Sequence, residues 1–222
     1  MATPASEMLP LVITGAGGHA VSVANVAYST GRAIRCFVDP ARSGQTLLDI
    51  PVVGELTELG DVHCFSHAIA IGDNAVRERV YSSLLRRHPG LTFPVLIHRS
   101  AVISMATTIQ EGTVVMPNAV VGPNSKVGRF CILNTMSSVD HDCQMHDFSS
   151  LAPGAVAGGA ACIGQRSAIS IGATLKHAVT VGADTVIGAN SYVNSNLGNN
   201  LVAFGCPARV IRQRNSGDPY LR

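Results

Sequence analysis

The stretch from Ile97 to Gly198 repeats every six residues, and this period constrains the fold more than any other feature of the chain. The first position of each hexad is apolar from Ile97 to Val193 without an insertion, and the fifth position is small or β-branched. A period of six fits neither an α-helix nor an alternating strand. It is typical of a coil of short parallel β-strands in which both of these residues point inward.

Three hexads make one triangular turn of such a coil, so the repeat predicts roughly between five and six stacked turns. The second hexad position is often glycine, as at Gly122, Gly128 and Gly158. We interpret these glycines as sites where the backbone adopts conformations closed to other residues. The third hexad position is expected to face outward.

Strands alternate with helices before the repeat, which predicts a small Rossmann-like α/β domain with a parallel sheet of three or four strands. We place this domain at residues 1–93 and the coil with its C-terminal tail at residues 94–222. Apolar runs predict strands at Leu11 to Thr14, Ile34 to Val38, Val52 to Val53 and Ala68 to Ile71.

Composition excludes several classes of function. The formal net charge is +2 and Lys and Arg form no run, which argues against a nucleic-acid partner. Met1 to Pro10 does not resemble a secretory signal, and no apolar stretch is long enough to cross a membrane. The six cysteines lack metal-type spacing, and Cys131 and Cys143 fall on the inward position of the coil. We therefore expect a cytoplasmic protein without a metal.

Gly15 to Ala20 follows the first strand with the spacing G-x-G-x-x-A, and Asp39 ends the second strand. A glycine turn at a helix N-terminus binds phosphate, because its free N–H groups and the helix dipole favour anions. The small size of the domain favours a mononucleotide or a nucleotide sugar over a dinucleotide. The spacing alone also fits a tight turn without a ligand, and His19 fits either a phosphate contact or a cap.

His141 stands out on the coil because it occupies an outward position between Asp140 and Asp142. Eighteen residues make one turn, so Gly159 and then His177 are expected in the same column. An imidazole can accept the proton that an amine loses when it attacks a thioester. We expect Asp142, or failing that Asp140, to orient the ring, and the N–H of Gly159 to stabilise the oxyanion.

The chain ends with Phe204 to Arg209, followed by Arg212 and Arg214. These arginines fit either an ordinary solvated tail or phosphate contacts with a coenzyme.

Together, the hexapeptides, the glycine turn from Gly15 to His19 and the G-x-P-A-R run from Gly205 to Arg209 resemble one family. It is the left-handed β-helix acyltransferases, specifically the nucleotide-sugar N-acetyltransferases with a small N-terminal sugar-nucleotide domain. Members acetylate the amino group of dideoxy-aminosugars such as perosamine or bacillosamine. The resemblance implies a left-handed coil, acetyl-CoA as acyl donor, and a homotrimer with its sites between subunits.

The resemblance also implies roles for individual residues. The catalytic histidine falls on His141, the oxyanion amide on Gly159, and Ser150 stands where some relatives carry a second histidine. His177 receives no role. The implied nucleotide-sugar contacts are Gly15, Gly17, Gly18, His19, Asp39, Gly72, Asp73, Asn74 and Asn134. The implied acetyl-CoA contacts are Ser150, Gly159, Ala189, Gly205, Pro207 and Arg209.

Other functions remain open at this point. The same base would serve a hydroxyl group, as in the sialic acid O-acetyltransferases. His141, His146 and His177 could instead hold a metal, as in hydratases built on such coils, and a non-catalytic nucleotide-binding scaffold is a third possibility. The choice between GDP and UDP sugars, and the stereochemistry of the sugar, are not fixed by the sequence.

Overall fold

The computed structural model describes residues 8–221, and its N-terminal part is the predicted α/β unit. Its five-stranded sheet has the order β3-β4-β2-β1-β5 and is parallel except for the β3–β4 pair. The fourth predicted strand begins two residues early, at Ser66, and a two-residue strand adds to the edge. The elements are β1 (Leu11–Thr14), α1 (Gly18–Ser29), β2 (Ile34–Val38), β3 (Thr46–Leu47), β4 (Ile50–Val53), β5 (Ser66–Ile69) and α2 (Asn74–Arg87).

The two helices form where the sequence supplies an apolar face and a start signal. Helix α1 buries Val23, Val26 and Ala27 and begins at Gly18, within the glycine turn. Helix α2 begins at Asn74, and the preceding Asp73 caps it, because the Asp73 carboxylate accepts the Val76 N–H at 3.0 Å. Such a cap satisfies one of the free N–H groups at a helix start.

The hexads form a parallel β-helix with three faces, as the period predicts. We call its faces sheet I, sheet II and sheet III in the order in which the chain crosses them. Sheet I contains β6 (Leu96–Ile97), β9 (Val114–Val115), β12 (Ile132–Leu133), β15 (Ser150–Leu151), β18 (Ala168–Ile169), β21 (Val186–Ile187), β23 (Leu201–Gly205) and β24 (Ala208–Gln213). Sheet II contains β7 (Val102–Ile103), β10 (Val120–Val121), β13 (Ser138–Val139), β16 (Val156–Ala157), β19 (Thr174–Leu175) and β22 (Tyr192–Val193). Sheet III contains β8 (Thr108–Ile109), β11 (Lys126–Val127), β14 (Gln144–Met145), β17 (Cys162–Ile163) and β20 (Thr180–Val181).

The inward positions fill the coil as expected. First-position residues from Val115 to Val193 are buried, whereas Ile97, Ile103 and Ile109 are more open because they lie in the first turn. Fifth-position residues such as Cys131 and Ser137 are fully buried where the faces converge.

The interpretation of the second-position glycines is wrong, because none of them adopts a positive φ. At Gly122, a Cβ would lie 2.6 Å from the carbonyl carbon of Asp140 in the next turn, so the glycine is required by close backbone approach. Positive φ occurs instead at the fourth hexad position, where the chain rounds each corner. Residues such as Asn124, Phe130 and Arg166 take φ values of 52–59° there.

The two parts of the chain share apolar cores. Helix α1 packs on Leu96, Val114 and Met116 of the coil. On the other side of the sheet, Phe130 and Phe148 of the coil stack with ring centroids 5.3 Å apart and contact residues of α2. The position of the α/β unit on sheet I is therefore fixed by packing.

Candidate active site

One corner of the coil, between sheets II and III, carries His141, Gly159 and His177 in a single column. The Ala160 N–H donates to the His141 carbonyl at 2.8 Å, and the Ala178 N–H donates to the Gly159 carbonyl at 2.8 Å. Each member of the column therefore lies one turn above the previous one, at the spacing expected for stacked parallel strands.

The His141 ring is held by Asp142 rather than by Asp140. His141 Nδ1 lies 2.8 Å from Asp142 Oδ2, whereas Asp140 accepts the backbone N–H of His141 at 2.8 Å. Asn124 donates to the other oxygen of Asp142 at 3.3 Å. With Asp142 ionised, Nδ1 carries a proton and Nε2 presents a lone pair. The hydrogen bond to Asp142, followed by the charge of Asp140, raises the pKa of His141 above its usual value.

Gly159 lies directly against the face of the candidate base. A Cβ at this residue would collide with Nε2 of His141 and would lie 2.6 Å from Cε1. Within residues 8–221, the Gly159 N–H has no hydrogen-bond acceptor. An N–H without an acceptor and an imidazole lone pair thus lie at one corner, where His141 is exposed and Gly159 is buried beneath its ring.

A cavity of about 380 Å³ lies on sheet I, where the coil meets the α/β unit. It brings together His19 and Gly72 from that unit with Asn134, Ser150 and Ala189 from the coil. These residues were predicted to contact the nucleotide sugar or acetyl-CoA, so the cavity unites parts of both predicted sets.

His19 is a neutral histidine at this cavity. Burial lowers its pKa to about 4, and the nearby charge of Arg77 acts in the same direction. Its buried Nε2 has no hydrogen-bond partner among the described residues. A buried polar atom without a partner is costly, so a ligand that hydrogen-bonds to Nε2 would satisfy it.

Arg77 is a buried residue that the sequence did not point to, and it is only 1% exposed. All five N–H groups of its guanidinium are used. The acceptors are the carbonyls of Ile71, Gly72, Phe130 and Phe148 and the side-chain oxygen of Asn74. No carboxylate among the described residues accepts from it. A positive charge is therefore fixed beneath the Gly72 end of the cavity.

The three glycines of the turn from Gly15 to His19 have different surroundings. Gly15 takes φ +105°, and a Cβ there would lie 2.9 Å from the Ala70 carbonyl oxygen. At Gly17 and Gly18, by contrast, an added Cβ would meet nothing within 4 Å, so the start of α1 is open. Asp39 supports this turn, because its carboxylate accepts the Ala16 N–H at 3.1 Å.

The segment Gly72 to Asn74 joins the α/β unit to sheet I. Asp73 caps α2, and the fully buried Asn74 side chain donates to Ser150 Oγ at 3.0 Å and to the carbonyls of Arg166 and Ser167 at 3.1 Å. Asn74 is therefore used within the protein, since its N–H also donates to the Tyr220 hydroxyl at 3.3 Å, and part of the hydrogen-bonding capacity of Ser150 is used there too.

The cavity and the His141 corner lie on different sides of the chain. A triangular coil has one face opposite each corner, and the corner between sheets II and III is opposite sheet I. Asn134 and Ser150 lie on sheet I, so one copy of the chain does not bring them next to His141.

The predicted residues Gly205, Pro207 and Arg209 lie at the β23–β24 hairpin, outside the set that lines the cavity. Arg209 is exposed and contacts the carbonyl of Ala208. Arg214 fits neither expectation for the C-terminal arginines, because it is buried and donates to the Asp184 carbonyl at 2.9 Å.

Residues 8–221 contain no group of three or more His, Cys, Asp or Glu side chains arranged to hold a metal ion, so His141, His146 and His177 do not form such a group. No helix in this part of the chain has the length and apolar character needed to span a membrane.

Comparisons with known proteins identify relatives of both parts. Residues 10–84 match the family model described as the PglD N-terminal domain. A GDP-perosamine N-acetyltransferase of Escherichia coli O157:H7 is 28% identical over 151 residues, which are 64% of this chain and 64% of that protein.

Solved structures extend the similarity to almost the whole chain. A histidine-to-asparagine mutant of perosamine N-acetyltransferase from Caulobacter crescentus, in complex with CoA and GDP-perosamine, is 33% identical with a TM-score of 0.85; the match covers 92% of this chain and 97% of that one. The acetyltransferase domain of PglB from Neisseria gonorrhoeae, in complex with acetyl coenzyme A, is 32% identical with a TM-score of 0.86; that match covers 92% and 100%.

Proposed function

The chain belongs to the left-handed β-helix nucleotide-sugar N-acetyltransferases, and we propose that it acetylates the 4-amino group of a nucleotide-linked 4-amino-4,6-dideoxy sugar. Acetyl-CoA is the donor. The relatives that carry GDP-perosamine in their names favour that nucleotide sugar over a UDP-linked analogue. They also favour an amine over a hydroxyl acceptor.

The reaction is a direct acyl transfer. The amine attacks the thioester carbonyl, a C–N bond forms, and the tetrahedral intermediate breaks its C–S bond to release CoA. His141 Nε2 takes the proton from the attacking nitrogen while Asp142 stabilises the imidazolium. The N–H of Gly159 donates to the oxyanion. The observation that carries this assignment is the His141–Asp142 pair at 2.8 Å, with Nε2 against Gly159.

Residues 1–93 bind the nucleotide and residues 94–222 bind the donor and perform the transfer. The diphosphate lies at the open start of α1, near Gly17, Gly18 and His19, because N–H groups of a helix start attract phosphate. Asp39 supports that turn. Gly72, Asp73, Asn74 and Asn134 complete the sugar side.

The active enzyme is a homotrimer with its sites between subunits. The cavity of one copy lacks a histidine paired with a carboxylate, and the His141 corner of the same copy faces away from it, so a second copy supplies the His141–Asp142 pair. Ser150 and Ala189 in the cavity contact the donor, and Gly205, Pro207 and Arg209 at the hairpin contact it further along the coil. Because all six cysteines are free and lie within the described residues, a reducing cytoplasm fits this enzyme.

The assignment of the base is tested by His141→Asn and His141→Ala. We expect kcat to fall by about two orders of magnitude or more, the scale of losing a general base. The exposed residue His63 provides the control, and His63→Asn should retain wild-type kcat. Near-normal turnover of both His141 variants would contradict the assignment.

The shared site is tested by mixing two inactive variants. His141→Ala removes the base, and Ser170→Phe fills the cavity that Ser170 lines. After each is shown to be inactive alone, refolding an equal mixture should restore up to about a quarter of the sites, because each site then draws on two different chains. If the mixture remains inactive although mixed trimers form, the sites do not lie between subunits.

A further inference from the structure

Residues 214–221 follow the last strand and return to the cavity. After β24, Arg214 is buried and is held by Asp184, and Ser216 Oγ donates to the Asp184 carboxylate at 3.0 Å. Gly217 takes φ +81°, which turns the chain toward α2. We call Arg214 to Leu221 the C-terminal strap.

Tyr220 attaches the strap to the start of α2. Its hydroxyl donates to the Gly72 carbonyl at 3.2 Å and accepts the Asn74 N–H at 3.3 Å. The ring lies 5.9 Å from the guanidinium carbon of Arg214, which adds a cation–π contact. The phenol thus uses a backbone N–H at a helix start, the kind of group that otherwise binds a ligand.

Leu221 closes the same side of the cavity. Its Cδ1 atom would lie 3.1 Å from a Cβ on Gly72, so the strap and the Gly72 loop are in close contact. Tyr220 and Leu221 both line the cavity together with His19 and Asn134. The cavity remains open with the strap in place, so the strap acts as a wall and not as a plug.

We propose that the C-terminal strap is the specificity wall of the nucleotide-sugar cavity, with Tyr220 positioning the Gly72–Asn74 backbone and Leu221 limiting the size of the bound sugar. This inference rests on the proposed function. The apolar Leu221 side chain faces a cavity that is also lined by Ile132 and by the exposed Ile171, which suits the methyl group of a 6-deoxy sugar better than a hydroxymethyl group.

The test separates this role from a purely structural one. Tyr220→Phe removes only the hydroxyl, and the KM for the nucleotide sugar should rise about fivefold, as expected for losing a hydrogen bond that positions the site. The KM for acetyl-CoA and kcat should change less than twofold. The matched control is Tyr28→Phe, since Tyr28 is an exposed tyrosine on α1.

A second variant tests the size limit. Leu221→Ala should reduce the preference for the 6-deoxy sugar over its 6-hydroxy counterpart by about tenfold, measured as the ratio of kcat/KM values. If the wild-type enzyme is active and both variants keep its KM and its sugar preference, the role of the strap is refuted while the proposed function stands. If wild-type enzyme transfers no acetyl group to any nucleotide amino sugar, the proposed function fails and this inference with it.

Discussion

Gly159→Ala is expected to inactivate the enzyme without unfolding it, because the added methyl group occupies the space of the His141 ring. The Cβ would lie 2.6 Å from Cε1 and 3.1 Å from Cδ2 of the imidazole. Carbon atoms in contact lie about 3.5–4.0 Å apart, so the ring must move by about 1 Å. A displacement of that size breaks the 2.8 Å contact with Asp142.

The expected loss in kcat is about a hundredfold, the scale of a 1 Å misplacement of a catalytic group. Stability should change little, because the His141 side chain is 56% exposed and can swing into solvent. For this one variant, steady-state acetyl transfer should therefore show a large fall in kcat, whereas a thermal melt should show almost no change in Tm. Gly198→Ala is the control, since an added Cβ there meets its nearest atom, Leu201 Cδ1, at 3.9 Å.

The prediction also has an internal check. Once His141 has been replaced by Ala, the methyl group at position 159 has no ring to displace. Gly159→Ala should then have almost no further effect, so the two losses should be far from additive. If Gly159→Ala retains wild-type kcat, or if it costs the same factor with and without the imidazole, the reasoning from this contact is refuted.

Three further perturbations follow from the charges at the site. The pKa of His19 is lowered from 6.5 to about 4, so between these pH values the unfolded chain binds a proton that the native protein does not. The free energy of unfolding should therefore fall by about 3 kcal/mol between pH 7 and pH 4. Urea unfolding of His19→Gln should show that much less pH dependence, with His63→Gln as the control for losing a histidine; an unchanged dependence would contradict the burial argument. Asp142→Asn removes the contact that raises the pKa of His141, so the ascending limb of the pH profile of kcat/KM should move to lower pH while kcat falls; an unmoved limb would show that Asp142 does not act through the ring. Arg77→Met removes a donor from five acceptors, of which only the Gly72 carbonyl keeps another donor, the Tyr220 hydroxyl. The free energy of unfolding should fall by at least about 3 kcal/mol, with partial recovery in Arg77→Lys, whereas an equal loss in both variants would point to packing alone.

The coil was predictable because its information is local and repeated. Each hexad places one large and one small residue inward, and eighteen residues make one turn, so the column of His141, Gly159 and His177 follows from counting. The same counting also predicts that the base is separated from the cavity. Asn134 and Ser150 lie on sheet I in successive turns, and His141 lies about halfway between them along the chain, on the opposite corner.

Other features could not be derived from local patterns. The partners of Arg77 are mostly carbonyl groups, including those of Phe130 and Phe148, and a carbonyl has no identity in a sequence. The strap is similar, because Tyr220 binds the backbone of Gly72 and Asn74 about 146 positions earlier. A tyrosine near the end of a polar tail gives no indication of that contact.

The identity of the residue after the base is explained by the corner on which it lies. Asp142 occupies the fourth hexad position and takes φ 58°, a left-handed conformation that asparagine and aspartate adopt more readily than most residues. That conformation allows its short side chain to reach Nδ1 of the preceding residue. A glutamate would carry the same charge on a longer side chain and would lack this backbone preference. Asparagine keeps the preference and loses the charge, so Asp142→Asn leaves the corner intact and isolates the electrostatic contribution of the carboxylate.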